Sequence, residues 1–215
     1  MKLRIAAIVA LTTFGLSGCR TQGDIVVTDS VGITAVRSVC PAVGIPEHTG
    51  DVTLFSPVGS TTADALDLTA VMTNVRSTCN DSGSEVVSTA TFEVQAMRRN
   101  TIGARTVELP YFGTVLRGGS SVVSKRLGTV SLTFADGEAR ASASATAGAV
   151  INRTEATLPA EIRERITRTR RAGDDDAAID PLTMPDVRAA IARASFELLI
   201  GFQLTEDQLA YNATR

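Results

Sequence analysis

The sequence predicts a mainly β protein: an antiparallel β-sandwich of about seven strands with a C-terminal α-helical segment packed on it. Three observations lead there. Apolar and polar residues alternate with period two in several runs between positions 65 and 150, the mark of half-buried strands. Clusters of turn formers separate those runs, notably Asn80-Asp81-Ser82-Gly83, Gly118-Gly119 and Asp136-Gly137. From about Thr154 the apolar spacing changes to steps of three and four, which is helical. A curved sheet lying under the C-terminal helices is the alternative architecture.

The chain opens with Lys2 and Arg4, followed by a largely apolar run from Ile5 to Leu16. That is the layout of a secretory signal. At about a dozen residues the run is too short to cross a bilayer core, which needs about 20. It ends in Leu16-Ser17-Gly18-Cys19. These four residues and their flank resemble the lipobox of bacterial lipoproteins, a resemblance confined to the first 19 or so positions. It implies a diacylglyceryl thioether on Cys19, cleavage between Gly18 and Cys19, and acylation of the new amino terminus. One acyl chain holds a protein to a membrane only marginally, whereas two or more anchor it stably. Position 20 is Arg rather than the Asp that favours inner-membrane retention in this family. The resemblance therefore implies the periplasmic face of the outer membrane.

Removing positions 1–18 leaves 197 residues, enough for one domain or one domain with an appendage. The removed segment carries two of the 21 basic residues and none of the 23 acidic ones, leaving 19 against 23, a net −4. That balance argues against a nucleic-acid partner. Tryptophan is absent and aromatics are 4%, so few rings exist to stack on sugars or bases. With Cys19 acylated, Cys40 and Cys79 remain in an oxidising compartment. A disulfide between them is the simplest outcome; two free thiols or a metal pair are the alternatives. The bridge would close a loop of about 40 residues, worth at most about 4 kcal/mol on the chain-entropy account. A single histidine, His48, argues against zinc.

Residues 19–44 read as a lipidated tether, with Ile25-Val26-Val27 as a possible first short strand. Residues 45–153 form the expected β-sandwich domain. Pro41, Gly44, Pro46 and Gly50 mark turns, and 51–57 reads as a strand ending at Pro57. In 65–79, Leu66, Leu68, Ala70 and Met72 share one face. In 85–99, Ala90, Phe92, Val94 and Ala96 do the same, so the two runs form a hairpin with Cys79 near its tip. Run 106–117 contains Pro110, which points to an edge strand or a bulge. Run 122–134 carries Leu127, Val130, Leu132 and Phe134, with Gly128 as a possible bulge and Asp136-Gly137 as a hairpin turn. In 138–150, alanines at 139, 141, 143, 145 and 147 alternate with Arg140, Ser142, Ser144 and Thr146. Alanine favours helix by propensity, yet a helix would scatter these alanines and a strand gathers them, so a strand is expected.

Residues 154–215 read as the helical segment. A helix is expected over 160–171, with Ile162 and Ile166 as a thin apolar stripe and Gly173 beyond its end. A second begins at Pro185 and carries Val187, Ile191, Ala194, Leu198 and Leu199 to Gly201. That helix, 185–200, is expected to dock on the small-residue face of Ala139 to Ala147. Thr205 and Gln208 resemble a capping box for a last short helix, with Leu204 and Leu209 packing it back.

Catalytic chemistry is thinly represented. Glu47-His48 is an acid/base pair without a nucleophile and reads as a solvated loop. Arg163, Arg165, Arg168, Arg170 and Arg171 are suited to headgroup phosphates, but also to a solvated face neutralised by Asp174, Asp175, Asp176 and Asp180. Those aspartates offer calcium ligands in a spacing unlike an EF-hand loop. Residues 98–140 hold seven basic and three acidic residues, a mild bias suited to a partner surface. No nucleophile elbow, zinc-protease, P-loop or dinucleotide motif occurs. The expectation is a non-enzymatic lipoprotein without cofactor or metal, anchored in the membrane by its lipid and contacting another envelope protein. A module binding an envelope lipid or polysaccharide comes second, and a hydrolase is the remote alternative.

Overall fold

A computed structural model describes residues 38–171, 173, 174, 176 and 178–215. The fold is mainly β, a two-sheet sandwich with short helices packed on it. Its strands are β1 (Ala42–Gly44), β2 (Asp51–Phe55), β3 (Leu66–Asn80), β4 (Glu85–Arg98), β5 (Arg105–Arg117), β6 (Ser121–Phe134), β7 (Arg140–Asn152) and β8 (Phe196–Phe202). One sheet has the order β1-β8-β5-β6 and the other β2-β3-β4-β7. All neighbours are antiparallel except β1 and β8.

The alternation places the core as expected. Leu68, Ala70 and Met72 of β3 and Ala90, Phe92, Val94 and Ala96 of β4 are buried, meeting Val107, Leu109 and Val115 of β5 and Val130, Leu132 and Phe134 of β6. The β3–β4 hairpin turns at Asp81 to Ser84, and Cys79, opposite Ser88, lies near that end. Cys40 and Cys79 are disulfide-bonded, with Cα atoms 6.1 Å apart. The bridge joins the lead-in to β1 in one sheet to the end of β3 in the other.

The alanine run is indeed a strand. Ala141, Ala143, Ala145 and Ala147 turn inwards. What settles on them is β5, not a helix: a Cβ at Gly113 would lie 3.0 Å from Ala147 Cβ. The Tyr111 hydroxyl donates to the Thr146 carbonyl at 2.8 Å, and the Tyr111 ring meets Phe92 edge-on.

Several expectations are corrected. The helix from Pro185 stops at Ala194; Phe196-Glu197-Leu198-Leu199-Ile200-Gly201-Phe202 is strand β8, inserted between β1 and β5. Its near-continuous apolar run is what an inner strand needs, and short apolar runs do not distinguish strand from helix by period. The sandwich therefore extends beyond 45–153: β1 falls within the expected tether and β8 within the expected helical segment. Pro110 does not mark an edge, since β5 is an inner strand. Its carbonyl accepts from Gln203 N at 2.9 Å, so its nitrogen faces the same side, just past the end of β8, where no strand requires a donor. Gly128 is not the bulge; the register slips at Val123, between the pairs Val115–Ser124 and Leu116–Val122. Gly128 is instead crossed by Tyr111, whose Cζ would be 2.4 Å from an added Cβ. The Asp136-Gly137 turn connects β6 to β7 in the other sheet, so it is a corner rather than a hairpin.

The helices are α1 (Arg153–Ala156), α2 (Ala160–Thr167), α3 (Pro185–Ala194) and α4 (Glu206–Thr214). Helix α2 ends at Thr167, short of Arg171. Ile162 and Ile166 pack with Val187 and Ala190 of α3 in a small core separate from the main one. The expected capping box on α4 is present, but Leu209 is exposed; α4 is held by Tyr211 edge-on to Phe55 and by Asn212, which donates to the carbonyls of His48 and Asp51.

Candidate functional site

Two surface regions stand apart from the packing just described. The first is a cleft of about 670 Å³ between α2, the end of α3, the start of β8 and Ser38-Val39-Cys40. The volume lies within the usual range for small-ligand sites. Val39, Ala156, Leu158, Ile166, Ile191 and Phe196 line it with apolar surface, and Asp81, Arg153, Arg163 and Glu197 add two charges of each sign. Arg153 donates to the carbonyls of Asp81 and Gly83. The hydroxyls in the cleft serve the backbone: Ser195 donates to the Ile191 carbonyl at 2.7 Å, Thr157 to Arg153 at 2.6 Å and Thr167 to Arg163 at 2.9 Å. The cleft is thus equipped to receive an apolar body, and its sequence signal was invisible because its walls come from positions 38–42, Asp81 and 153–197.

The second region is the first half of β6. Residues Ser121 to Leu127 are exposed on both faces, unlike Val130, Leu132 and Phe134 further along the strand. Among the described residues β6 is the last strand of its sheet, and its far side has no hydrogen-bonded neighbour there. Val122, Val123 and Leu127 are 63%, 53% and 66% exposed. Between them stand Lys125 and Arg126.

The basic bias of residues 98–140 separates here into two groups. Arg98 is buried and donates to four backbone carbonyls. Arg99 donates to Ala63, Arg105 is paired with Asp67, and Arg117 reaches Glu155 and the Arg193 carbonyl. Lys125 and Arg126 of β6, and Arg140 at the start of β7, enter no ion pair among the described residues; the Lys125 ammonium lies 5.2 Å from the Phe112 ring centroid. Of the seven, Lys125 and Arg126 are the two that stand on the exposed first half of β6.

The other candidates are placed as follows. Gly18, Cys19 and Ile25-Val26-Val27 lie outside the described residues. His48 sits in the β1–β2 turn at a left-handed φ of 64°, its ring 3.7 Å from Glu47, and does not line the cleft. Arg165 pairs with Asp186, and Arg168 and Arg170 both reach Asp176. The Arg165 guanidinium holds the Asp186 carboxyl below its ordinary range. Asp174 accepts from the Arg171 N–H and Asp180 from the Leu182 N–H; Asp175 lies outside the described residues. Arg163 alone of the five arginines lines the cleft. Among the described residues, no three His, Cys, Asp or Glu side chains gather as metal ligands, and no helix is long and apolar enough to cross a membrane. Comparison with protein-family models, curated proteins and solved structures finds no match.

Proposed function

We propose that the chain is a bacterial envelope lipoprotein, anchored through Cys19 at the periplasmic face of the outer membrane, which works without catalysis by holding another envelope protein. The lipobox Leu16-Ser17-Gly18-Cys19 behind its short apolar run supports the anchor, and Arg20 in place of Asp supports the outer membrane. The observation that carries the protein-contact role is the β6 edge, which leaves three large aliphatic side chains exposed beside two cations that no carboxylate pairs among the described residues. Contiguous exposed apolar surface rimmed by polar groups is typical of interaction sites.

Two experiments test the reading. Cys19→Ala should abolish lipid labelling and leave an unprocessed precursor; a cleaved, unlabelled protein that still fractionates with membranes refutes the anchor. A photo-crosslinking amino acid in place of Leu127 should give a discrete protein adduct in the native envelope. The same label in place of the exposed Ile102, at the opposite end of β5, is the control.

The apolar cleft favours a second reading, a module that takes up the acyl portion of an envelope lipid. Lipid co-purifying with the chain, and lost on replacing the partly buried Leu158 with Glu at the cleft wall, would mark it.

A further inference from the structure

We infer that Ser121 to Leu127 of β6 is a docking edge for an extended acidic and apolar strand of a partner protein. The inference rests on the protein-contact reading above and names the partner's chemistry. A terminal strand offers unpaired N–H and C=O groups along its open side, and an added strand recovers those bonds while side-chain positions set selectivity.

The register supplies the selectivity. Opposite residues of an antiparallel pair share a face, so the pairs Leu116–Val122, Thr114–Lys125 and Phe112–Leu127 put Val122, Lys125 and Leu127 on the outer face. Gly113–Arg126 puts Arg126 on the other. An incoming strand alongside this edge therefore meets a cation on each face at two consecutive positions, with an aliphatic side chain next to them. Its matching pattern is two adjacent carboxylates followed by an apolar residue. β6 itself carries no acidic residue, so nothing on the edge repels such a strand. Lysine and a bulge are also how proteins guard open edges. Guarding does not call for three large aliphatic side chains exposed beside them, and those are what a partner strand would cover.

The test uses the full chain purified in detergent and a labelled short peptide with two adjacent glutamates among valines and threonines. A peptide with lysines in place of the glutamates is the control. Binding read by fluorescence anisotropy should favour the glutamate peptide and weaken as salt rises. Reversing both charges, Lys125→Glu with Arg126→Glu, should lower that affinity about tenfold, as two lost exposed pairs imply. Leu127→Ser should weaken it without changing the charge. Both variants alter exposed side chains, and an unchanged thermal midpoint verifies the fold. Hydrogen exchange should show amides within 121–127 becoming protected when peptide binds. No binding, equal binding of the lysine peptide, or binding without that protection overturns the inference. So does binding to phosphatidylglycerol vesicles that the charge reversal abolishes while the peptide fails to bind, which would make the edge a membrane contact. Peptide binding without adducts from position 127 in the envelope leaves the edge standing and defeats the protein-contact role. Adducts in the envelope without peptide binding do the reverse.

Discussion

Arg98 shows what a single residue contributes where the two sheets meet. It is 3% exposed and has no carboxylate partner among the described residues. Its guanidinium donates instead to the carbonyls of Glu138, Gly103, Thr101 and Ala135 at 2.8–2.9 Å and lies 5.2 Å from the Phe134 ring centroid. A buried charge is tolerable when dipoles replace its water, and these four dipoles belong to the β4–β5 and β6–β7 crossovers. Arg98→Met should cost about 3 to 5 kcal/mol, since several buried carbonyls lose their donor at once. Urea denaturation measures it, and a loss below about 1 kcal/mol would mean water replaces the guanidinium easily. Asp67 and Arg105 make another inter-sheet tie, a bidentate pair at 2.7 Å. The guanidinium hydrogen bonds hold the Asp67 carboxyl below its ordinary range despite partial burial. A carboxyl with a lowered folded-state pKa adds stability above its unfolded pKa, and that stability is lost as pH falls through the folded value. Asp67→Asn should therefore cost about 1 kcal/mol near neutrality, given the pair's exposure, and nothing in strong acid. A penalty that persists in acid would assign the effect to packing.

At the scale of elements, strands with one wet face were legible and β8 was not. In β3, β4 and β7 the alternation names the inner residues directly, because each keeps a polar outer face. β8 carries Phe196, Leu198, Ile200 and Phe202 inward and Leu199 half-buried on the other face, so its pattern has no clean period and merges with the helix before it. Pro110 misled for a related reason: a proline disturbs only the side its nitrogen faces, and where β8 ends is a tertiary fact. Gly201 is the local trace of β8's position. A Cβ there would lie 2.3 Å from Thr49 Oγ1 and 2.8 Å from Phe112 Cζ, so two elements close over it. Gly201→Ala should cost about 1 to 3 kcal/mol as overpacking, read as a lower thermal midpoint. Were the strand free on that face, alanine would be neutral. The disulfide is an element-level tie of the same kind. Replacing Cys40 and Cys79 by Ser together should cost up to about 4 kcal/mol through the loop it closes, measured against the oxidised parent.

At the scale of the molecule, the two candidate surfaces were legible to different degrees. The β6 edge had a trace in the basic bias of 98–140, although most of those cations turn out to hold loops and sheets together. The cleft had none, because chain segments more than a hundred residues apart make its walls. The same long-range closure decides how the C-terminal third contributes to stability. Were 174–215 an appendage of helices, the sandwich would survive without it. Instead, that segment supplies β8, which among the described residues is β1's only strand neighbour and one of β5's two. It also supplies α4, whose Asn212 and Tyr211 hold the β1–β2 turn and Phe55. Phe196, Leu198, Ile200 and Phe202 each contribute about 1.5 to 3 kcal/mol when buried. Together they rival the 5 to 15 kcal/mol that typically separates folded from unfolded. Protein starting at Arg20 and truncated after Gly173 should therefore show no cooperative thermal transition by circular dichroism. Removing only 206–215 should lower the midpoint while leaving the transition cooperative, because the sheets stay complete. An unchanged midpoint after the longer truncation would mean β5 and β1 close the sandwich without β8, and would make the C-terminal third a separable tail.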